Sequence, residues 1–369
     1  PLAPFLQDDL HLKHVQIGML NSVFFLGAFF LSIPMGWLVD RIGVYWTMAA
    51  GQLILGSFIL AISLAHSYTM ICAYLLLAGM GHATINPSTG KAVMDWFPIK
   101  GRATAMGAKQ TGLPVGGALA AATLPALALA FGWRKAFVIS GAVSMLSVLP
   151  CLLFYREPDQ KKQLNNGEPI NLRTLGEMFK DRNLVLLSCL MMIFVSLQSS
   201  LETYLLLFCK DSLMYPVVTA GYFLSLAHLG GVVGRLGWGP MSDFFFRARR
   251  KVVLMIIGSL SSALCLLFLF LSPRFPFWCV GVLVFVLGTC AIGWNGIYLT
   301  LVAELAGRGR EGMAIGTSLT IVFIGVLFGP PLFGYIVDTT GSYDDAWIIF
   351  SLMMVVATVP IGFIRELKE

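Results

Sequence analysis

Charge is scarce in this sequence. Asp, Glu, Lys and Arg make up 12% of its 369 residues, about half the roughly 25% of a soluble globular domain. A soluble protein of this size could not hide the apolar surface that remains, and a disordered chain would not carry it. Paired cysteines are lacking too. The seven cysteines, at 72, 151, 189, 209, 265, 279 and 290, stand singly in apolar stretches, with no CxxC and no His at metal-ligand spacing. A disulfide framework, a zinc site or any other metal or cofactor is therefore not expected. No His/Asp, Ser/His or Cys/His constellation converges, which argues against an enzyme. No nucleic-acid-binding module is present. No signal peptide is visible and residue 1 is Pro, so the chain is expected to begin inside something longer.

What is there is apolar. Hydrophobic residues reach 57% and the mean hydropathy is +0.81. Gly (38) and Phe (27) are abundant, as in helices that pack closely in lipid. A spanning helix needs about 20 largely apolar residues. Charge-free stretches run over 15–39, 42–90, 110–133, 136–155, 183–201, 212–234, 252–273, 275–303, 312–337 and 346–364. The stretch 42–90 holds two helices, divided near His66-Ser67-Tyr68. The expectation is an all-α protein with about eleven transmembrane helices in a lipid bilayer.

Basic residues orient it. Twenty of the 25 Lys and Arg fall in one set of alternate loops and helix ends, with the C-terminal tail; Lys13, Arg134, Lys135, Lys210 and Arg274 fall on the other side. The +6 formal charge thus belongs to cytoplasmic loops rather than to a nucleic-acid surface. The reading is a multi-pass protein of the inner or plasma membrane, with residue 1 outside and the C-terminus cytoplasmic.

The chain repeats itself. Leu10, Val15, Gly18, Gly36 and Asp40 recur 203 positions later as Leu213, Val218, Gly221, Gly239 and Asp243. Ala136 and Pro150 recur as Ala346 and Pro360, 210 positions on. Equivalent helices run in the same direction, so the repeats are parallel. The expected organisation is an amino-terminal bundle over 1–157, a polar cytoplasmic linker over 158–182 and a carboxy-terminal bundle over 183–369. Shifted by 203, the helix before Asp211 would end near residue 5. Residues 1–6 are therefore expected to be the outer end of a first helix, in an architecture of two six-helix bundles whose first helix this chain lacks.

Gly36-Trp37-Leu38-Val39-Asp40-Arg41-Ile42-Gly43 lies where the first complete helix leaves the membrane. Glycine there permits close helix approach, and Asp40 can pair with a basic residue or cap the next helix. Its counterpart is Gly239-Pro240-Met241-Ser242-Asp243, followed by Arg247, Arg249 and Arg250. One such motif is a weak signal, while two at matching places are strong. The chain resembles the major facilitator superfamily over nearly its whole length. The resemblance implies two six-helix bundles around a central cavity, working by alternating access, with Gly36, Asp40, Arg41, Gly43, Gly239, Asp243 and Arg247 in the gating loops. Val44 and Tyr45 stand where the family signature has basic residues, and Phe244 follows the second Asp, so the gate is wired differently. Gly112-Leu113-Pro114-Val115-Gly116-Gly117 is similar to the glycine-proline signature of antiporters, with Leu113 interrupting it. Close helix packing explains those residues equally well. The Arg that many proton-driven members carry on the fourth helix is absent from Tyr74–Gly79.

Ionisable residues inside spans are costly and face the bundle interior. Here they are His82, Lys109, Glu202, His228 and Arg235. Arg235 lies eight residues before Asp243, about 12 Å along the helix, and its repeat-mate is Ser32. Its placement resembles the Arg on the eighth helix of monocarboxylate and oxalate/formate transporters, which implies a substrate carboxylate held in the guanidinium fork. The alternative is an Arg that snorkels to the cytoplasm. His228, two turns outward on the same face, is either a proton acceptor or a hydrogen-bonded structural His. Lys109 either makes the cavity positive or snorkels, and Gln110 follows it. Glu202 either meets a cation or lies near outside water. Asn86 shares a helical face with His82. Asn295, between Trp294 and Tyr298, needs a partner at mid-helix.

These residues (Arg235, Lys109, Gln110, His228, Asn86, Asn295 and Glu202) are the candidate substrate site. The reading is a secondary active transporter for a small organic anion, a carboxylate, with a proton or sodium as coupling ion. The rivals are an efflux pump for apolar or cationic compounds and a non-transporting receptor with the same fold.

Overall fold

The computed structural model describes residues 1–97, 99–156, 180–306 and 311–364, with the side chains of 32, 33, 40, 99–104, 107 and 311–313 outside that description. Most of the linker expected over 158–182, and the side chains of Ser32 and Asp40, therefore lie outside the described residues.

Among these residues every regular element is helical. A short helix α1 (Ala3–Leu10) precedes α2 (His14–Ile42) and α3 (Val44–Ala61). Then come α4 (Tyr68–His82), α5 (Ile85–Trp96), α6 (Ile99–Phe131), α7 (Trp133–Leu146) and α8 (Val148–Phe154). The second half holds α9 (Arg182–Asp211), α10 (Val217–Phe245), α11 (Arg250–Leu267), α12 (Phe277–Ala291), α13 (Asn295–Ala306), α14 (Glu311–Thr340) and α15 (Tyr343–Ile361). They form eleven segments long and apolar enough to cross a membrane, α4–α5, α7–α8 and α12–α13 each counting as one. That is the number the charge-free stretches give. Several helices run past those stretches, because such a stretch measures the hydrocarbon slab and a helix continues into the headgroups. α6, for example, starts at Ile99 and carries Lys109 inside it.

Helix ends follow local chemistry. Ser67, Asp181 and Ser342 cap α4, α9 and α15 through side-chain oxygens that accept first-turn N–H groups. Gly43 ends α2 at φ +91°, a conformation that favours glycine.

The repeat reappears as element length. α2 and α10 both have 29 residues and start 203 positions apart; α3 and α11 have 18, α4 and α12 have 15, and α5 and α13 have 12. The same glycine pair closes each half. A side chain on Gly27 or Gly79 would strike the facing backbone between α2 and α4, and one on Gly230 or Gly288 would do so between α10 and α12.

Within the halves α2 packs on α4, α3 on α4 and α7, α9 on α14, α10 on α12, and α11 on α15. Between them run two seams, α2 against α14 and α6 against α10. Two helices are interrupted at matching depth, at 83–84 between α4 and α5 and at 292–294 between α12 and α13. These interruptions correct two expectations. His82 and Asn86 do not share one continuous helix face, because the chain breaks between them. Asn295 begins a helix instead of sitting within one.

Candidate functional site

Arg235, on α10, reaches across the α6/α10 seam. Its Nη1 donates to the Gln110 carbonyl of α6, and its Nε donates to the Ile292 carbonyl at 3.2 Å. Ile292 caps α12 at the α12/α13 interruption, its N–H bonded to the Gly288 carbonyl and its own carbonyl turned to Arg235. Two donors are thus held by neutral carbonyls from opposite halves, and among the described residues no carboxylate bonds the guanidinium. No described residue bonds Nη2. The snorkelling alternative is set aside by this geometry, since the side chain is turned into the seam and anchored there.

Next to Gln110, Lys109 donates from Nζ to the Asn86 carbonyl on α5 at 3.4 Å. The Asn86 side chain is exposed. Lys109, Gln110, Asn86 and Arg235 are therefore brought together from three helices, with two cations in one neighbourhood.

Beyond Ile292 the polar line continues through a residue that the ionisable-group search passes over. Asn295 Nδ2 lies 3.4 Å from the Ile292 carbonyl and 3.3 Å from Gln198 Oε1. Gln198, on α9, is buried at 7% exposure. Its Oε1 also accepts from the Trp294 indole at 3.1 Å, and its Nε2 donates to Glu202 Oε1 at 3.1 Å. That set of partners fixes the amide: turned over, it would face two donors with a donor and a carboxylate with an oxygen. A neutral amide four residues before Glu202, one turn away on the same helix face, was the available signal. Tyr298 stays in the patch expected around Asn295 through its ring, 5.4 Å from the Trp294 ring, but its hydroxyl points elsewhere. It is fully buried and bonds Ser318 at 2.5 Å, and Ser318 in turn pairs with Ser188.

His228 does not join this line. Its ring lies against Gly117 of α6, where any side chain would collide with it, and its buried Nδ1 has no hydrogen-bond partner among the described residues. His82 is similarly apart, packed on Phe24 and Phe25 of α2.

The two ends of the molecule differ. At the His14 end the halves are tied together. Asp338 of α14 accepts from His14 N–H at 2.9 Å, Val15 N–H at 2.8 Å and the His14 ring at 2.8 Å. Lys210 pairs with Asp8 at 2.9 Å. The Tyr204 hydroxyl lies 2.6 Å from the His14 carbonyl. At the Arg41 end, the described charge contacts stay inside one half. Arg250 bonds Asp243 at 2.5 Å and Glu304 at 3.2 Å, and Arg41 lies over its neighbour Trp37. Of the three arginines that follow Asp243, Arg250 takes the place beside it, and Arg247 has a left-handed backbone at φ +51°. The close approach expected at Gly36 and Gly239 is also absent: a side chain on either would meet open space among the described residues.

Residues 1–330 match the Major Facilitator Superfamily. The chain is similar to the hexuronate transporter of Bacillus subtilis (strain 168), at 24% identity over 99% of this chain and 89% of that one. It is similar to the probable L-galactonate transporter of Escherichia coli (strain K12), at 24% identity over 93% of this chain and 80% of that one. Among solved structures, the nucleoside transporter NupG superposes with a TM-score of 0.80 at 16% identity, covering 99% of this chain and 94% of that one. This last likeness is one of fold.

Proposed function

The chain belongs to the Major Facilitator Superfamily, and from that premise we propose that it is a secondary active transporter of a small organic anion, a carboxylate bearing hydroxyl groups. The observation that carries the reading is that Arg235 and Lys109 are held by the neighbouring carbonyls of Gln110 and Asn86, beside the exposed Asn86 side chain, with no described acid bonded to either cation. A guanidinium held by two carbonyls keeps its charge and its remaining donors for a carboxylate. Asn86, Gln110 and Asn295 supply donors and acceptors suited to hydroxyls. The relatives named for hexuronate and galactonate favour such an acid. The likeness to monocarboxylate and oxalate/formate transporters contributes the Arg on this helix.

In this reading 1–157 and 183–369 are the two rocking units, joined by a cytoplasmic linker, and the C-terminus is cytoplasmic. The His14 end is then outside and tied shut, while the Arg41 end opens inward. The cargo sits between Arg235, Lys109 and Asn86. Return to the outward arrangement breaks the Asp338 contacts and brings the loops around Asp40 and Asp243 together.

The test is uptake of radiolabelled galacturonate, glucuronate and galactonate by the full-length protein in proteoliposomes, with lactate, glucose and a quaternary ammonium compound as comparisons. Saturable uptake of a hydroxylated carboxylate, competed by its analogues, is expected. Transport or binding confined to the uncharged sugar or the cation would overturn the anion reading.

A further inference from the structure

His228 is 9% exposed, and its buried Nδ1 lacks a partner among the described residues. An apolar ring would fill the same space without leaving a polar atom unpaired. The space itself is made for it, because Gly117 on the opposite half has no side chain where the imidazole lies. The ring therefore occupies the α6/α10 seam, the surface along which the two halves meet. Glu202 of α9 and Arg235 of α10, the helix that carries His228, act on it electrostatically. On α6, Lys109 lies eight residues before Gly117, and α12, which also packs on α10, carries no charged side chain.

We propose that His228 is the proton site of the transport cycle, so that the anion crosses together with a proton carried on this imidazole. The inference rests on the anion-transport reading above and extends it to the coupling ion. The proton adds to the lone pair of the ring nitrogen that lacks hydrogen, and no other bond changes. A monoanion and one proton then cross with no net charge. The seam decides access: a group lodged between the halves meets water from one face or the other as they rock. Arg235 decides order. With the site empty, its charge opposes an imidazolium that Glu202 favours, and a bound carboxylate removes that opposition. Anion and proton therefore bind with positive coupling, which must be reciprocal.

The test uses the full-length protein in proteoliposomes with radiolabelled galacturonate. In wild type, an acid-outside gradient should drive accumulation above equilibrium, and galacturonate affinity should strengthen up to about tenfold per pH unit on acidification. His228→Gln and His228→Asn should lose gradient-driven accumulation and the pH dependence of affinity, yet retain exchange of labelled for unlabelled substrate at equal pH. Accumulation that persists in either variant would overturn the proposal. So would wild-type affinity and accumulation that ignore pH, and this arm holds even if both variants fail to fold. Wild-type protein that neither exchanges nor accumulates any of the acids would instead remove the transport reading, and the proposal with it.

Discussion

Asp338 caps the first turn of α2 from the other half of the chain. One carboxylate oxygen accepts from the His14 N–H and the His14 ring, and the other accepts from the Val15 N–H. A helix start normally finds its cap in the preceding residues. Here the cap arrives from 324 positions away, so the start of α2 is fully satisfied only while this end stays closed.

Asp338→Ala should therefore loosen that end. Losing a cap costs about 0.5–2 kcal/mol, enough to shift the balance between arrangements several-fold. Ser22, whose hydroxyl donates to the Leu327 carbonyl across the same seam, provides a reporter. Ser22→Cys in a background without native cysteines should react faster with an impermeant thiol reagent when Asp338→Ala is added. An equal rate would show that Asp338 does not hold the seam.

Arg235→Lys keeps the charge but cannot serve both the Gln110 and Ile292 carbonyls and a carboxylate as the fork does. Loss of one charge-assisted hydrogen bond costs roughly 1.5–3 kcal/mol, or about ten- to a hundredfold in affinity. Arg235→Ala should be worse. The measurement is binding of the identified substrate to purified variants as thermostable as wild type. Unchanged affinity in Arg235→Lys would remove Arg235 from the site.

Gln198→Leu strips a shared acceptor from the Trp294 indole and the Asn295 amide. Each buried polar group left unpaired costs about 1–3 kcal/mol. The midpoint of thermal unfolding in detergent should fall. Gln198→Glu should not restore it at neutral pH, because a second carboxylate then faces Glu202. A midpoint unaffected by Gln198→Leu would mean that this amide carries no structural weight.

Gly79→Leu forces a side chain into the Phe24 backbone across the α2/α4 contact. Overpacking of this kind costs typically 1–3 kcal/mol. Gly36→Ala meets open space and should leave the unfolding midpoint close to wild type. Similar losses at both positions would contradict the packing described for α2.

Orientation has its own check. In sealed right-side-out cells, a cysteine at position 66 should label with an impermeant reagent and one at position 165 should not. The reverse pattern would invert the assignment of the two ends.

Much of this fold is legible in the sequence because lipid imposes a simple code. Charge-free runs mark the eleven segments, and the 203-residue register of Gly36 and Asp40 returns as equal lengths in α2 and α10. The site is legible where it is charged. Arg235 and Lys109 stand out as intramembrane cations, and the structure puts both in one neighbourhood. It is illegible where it is neutral or made of backbone. Gln198 has no charge to betray it, and the Ile292 carbonyl has no side chain at all. The interruptions at 83–84 and 292–294 fall in apolar runs that a hydropathy reading joins into one helix. The Asp338 cap depends on two residues too far apart for any local pattern.

Those two interruptions leave α5 and α13 as rods of 12 residues each, about 18 Å long. They are jointed at the depth where Asn86 and Asn295 lie. Each joint is itself hydrogen-bonded, Thr84 to Gly81 on one side and Ser88 on the other, and Ile292 to Gly288, so in the proposed cycle these short rods would tilt about a defined pivot rather than unravel.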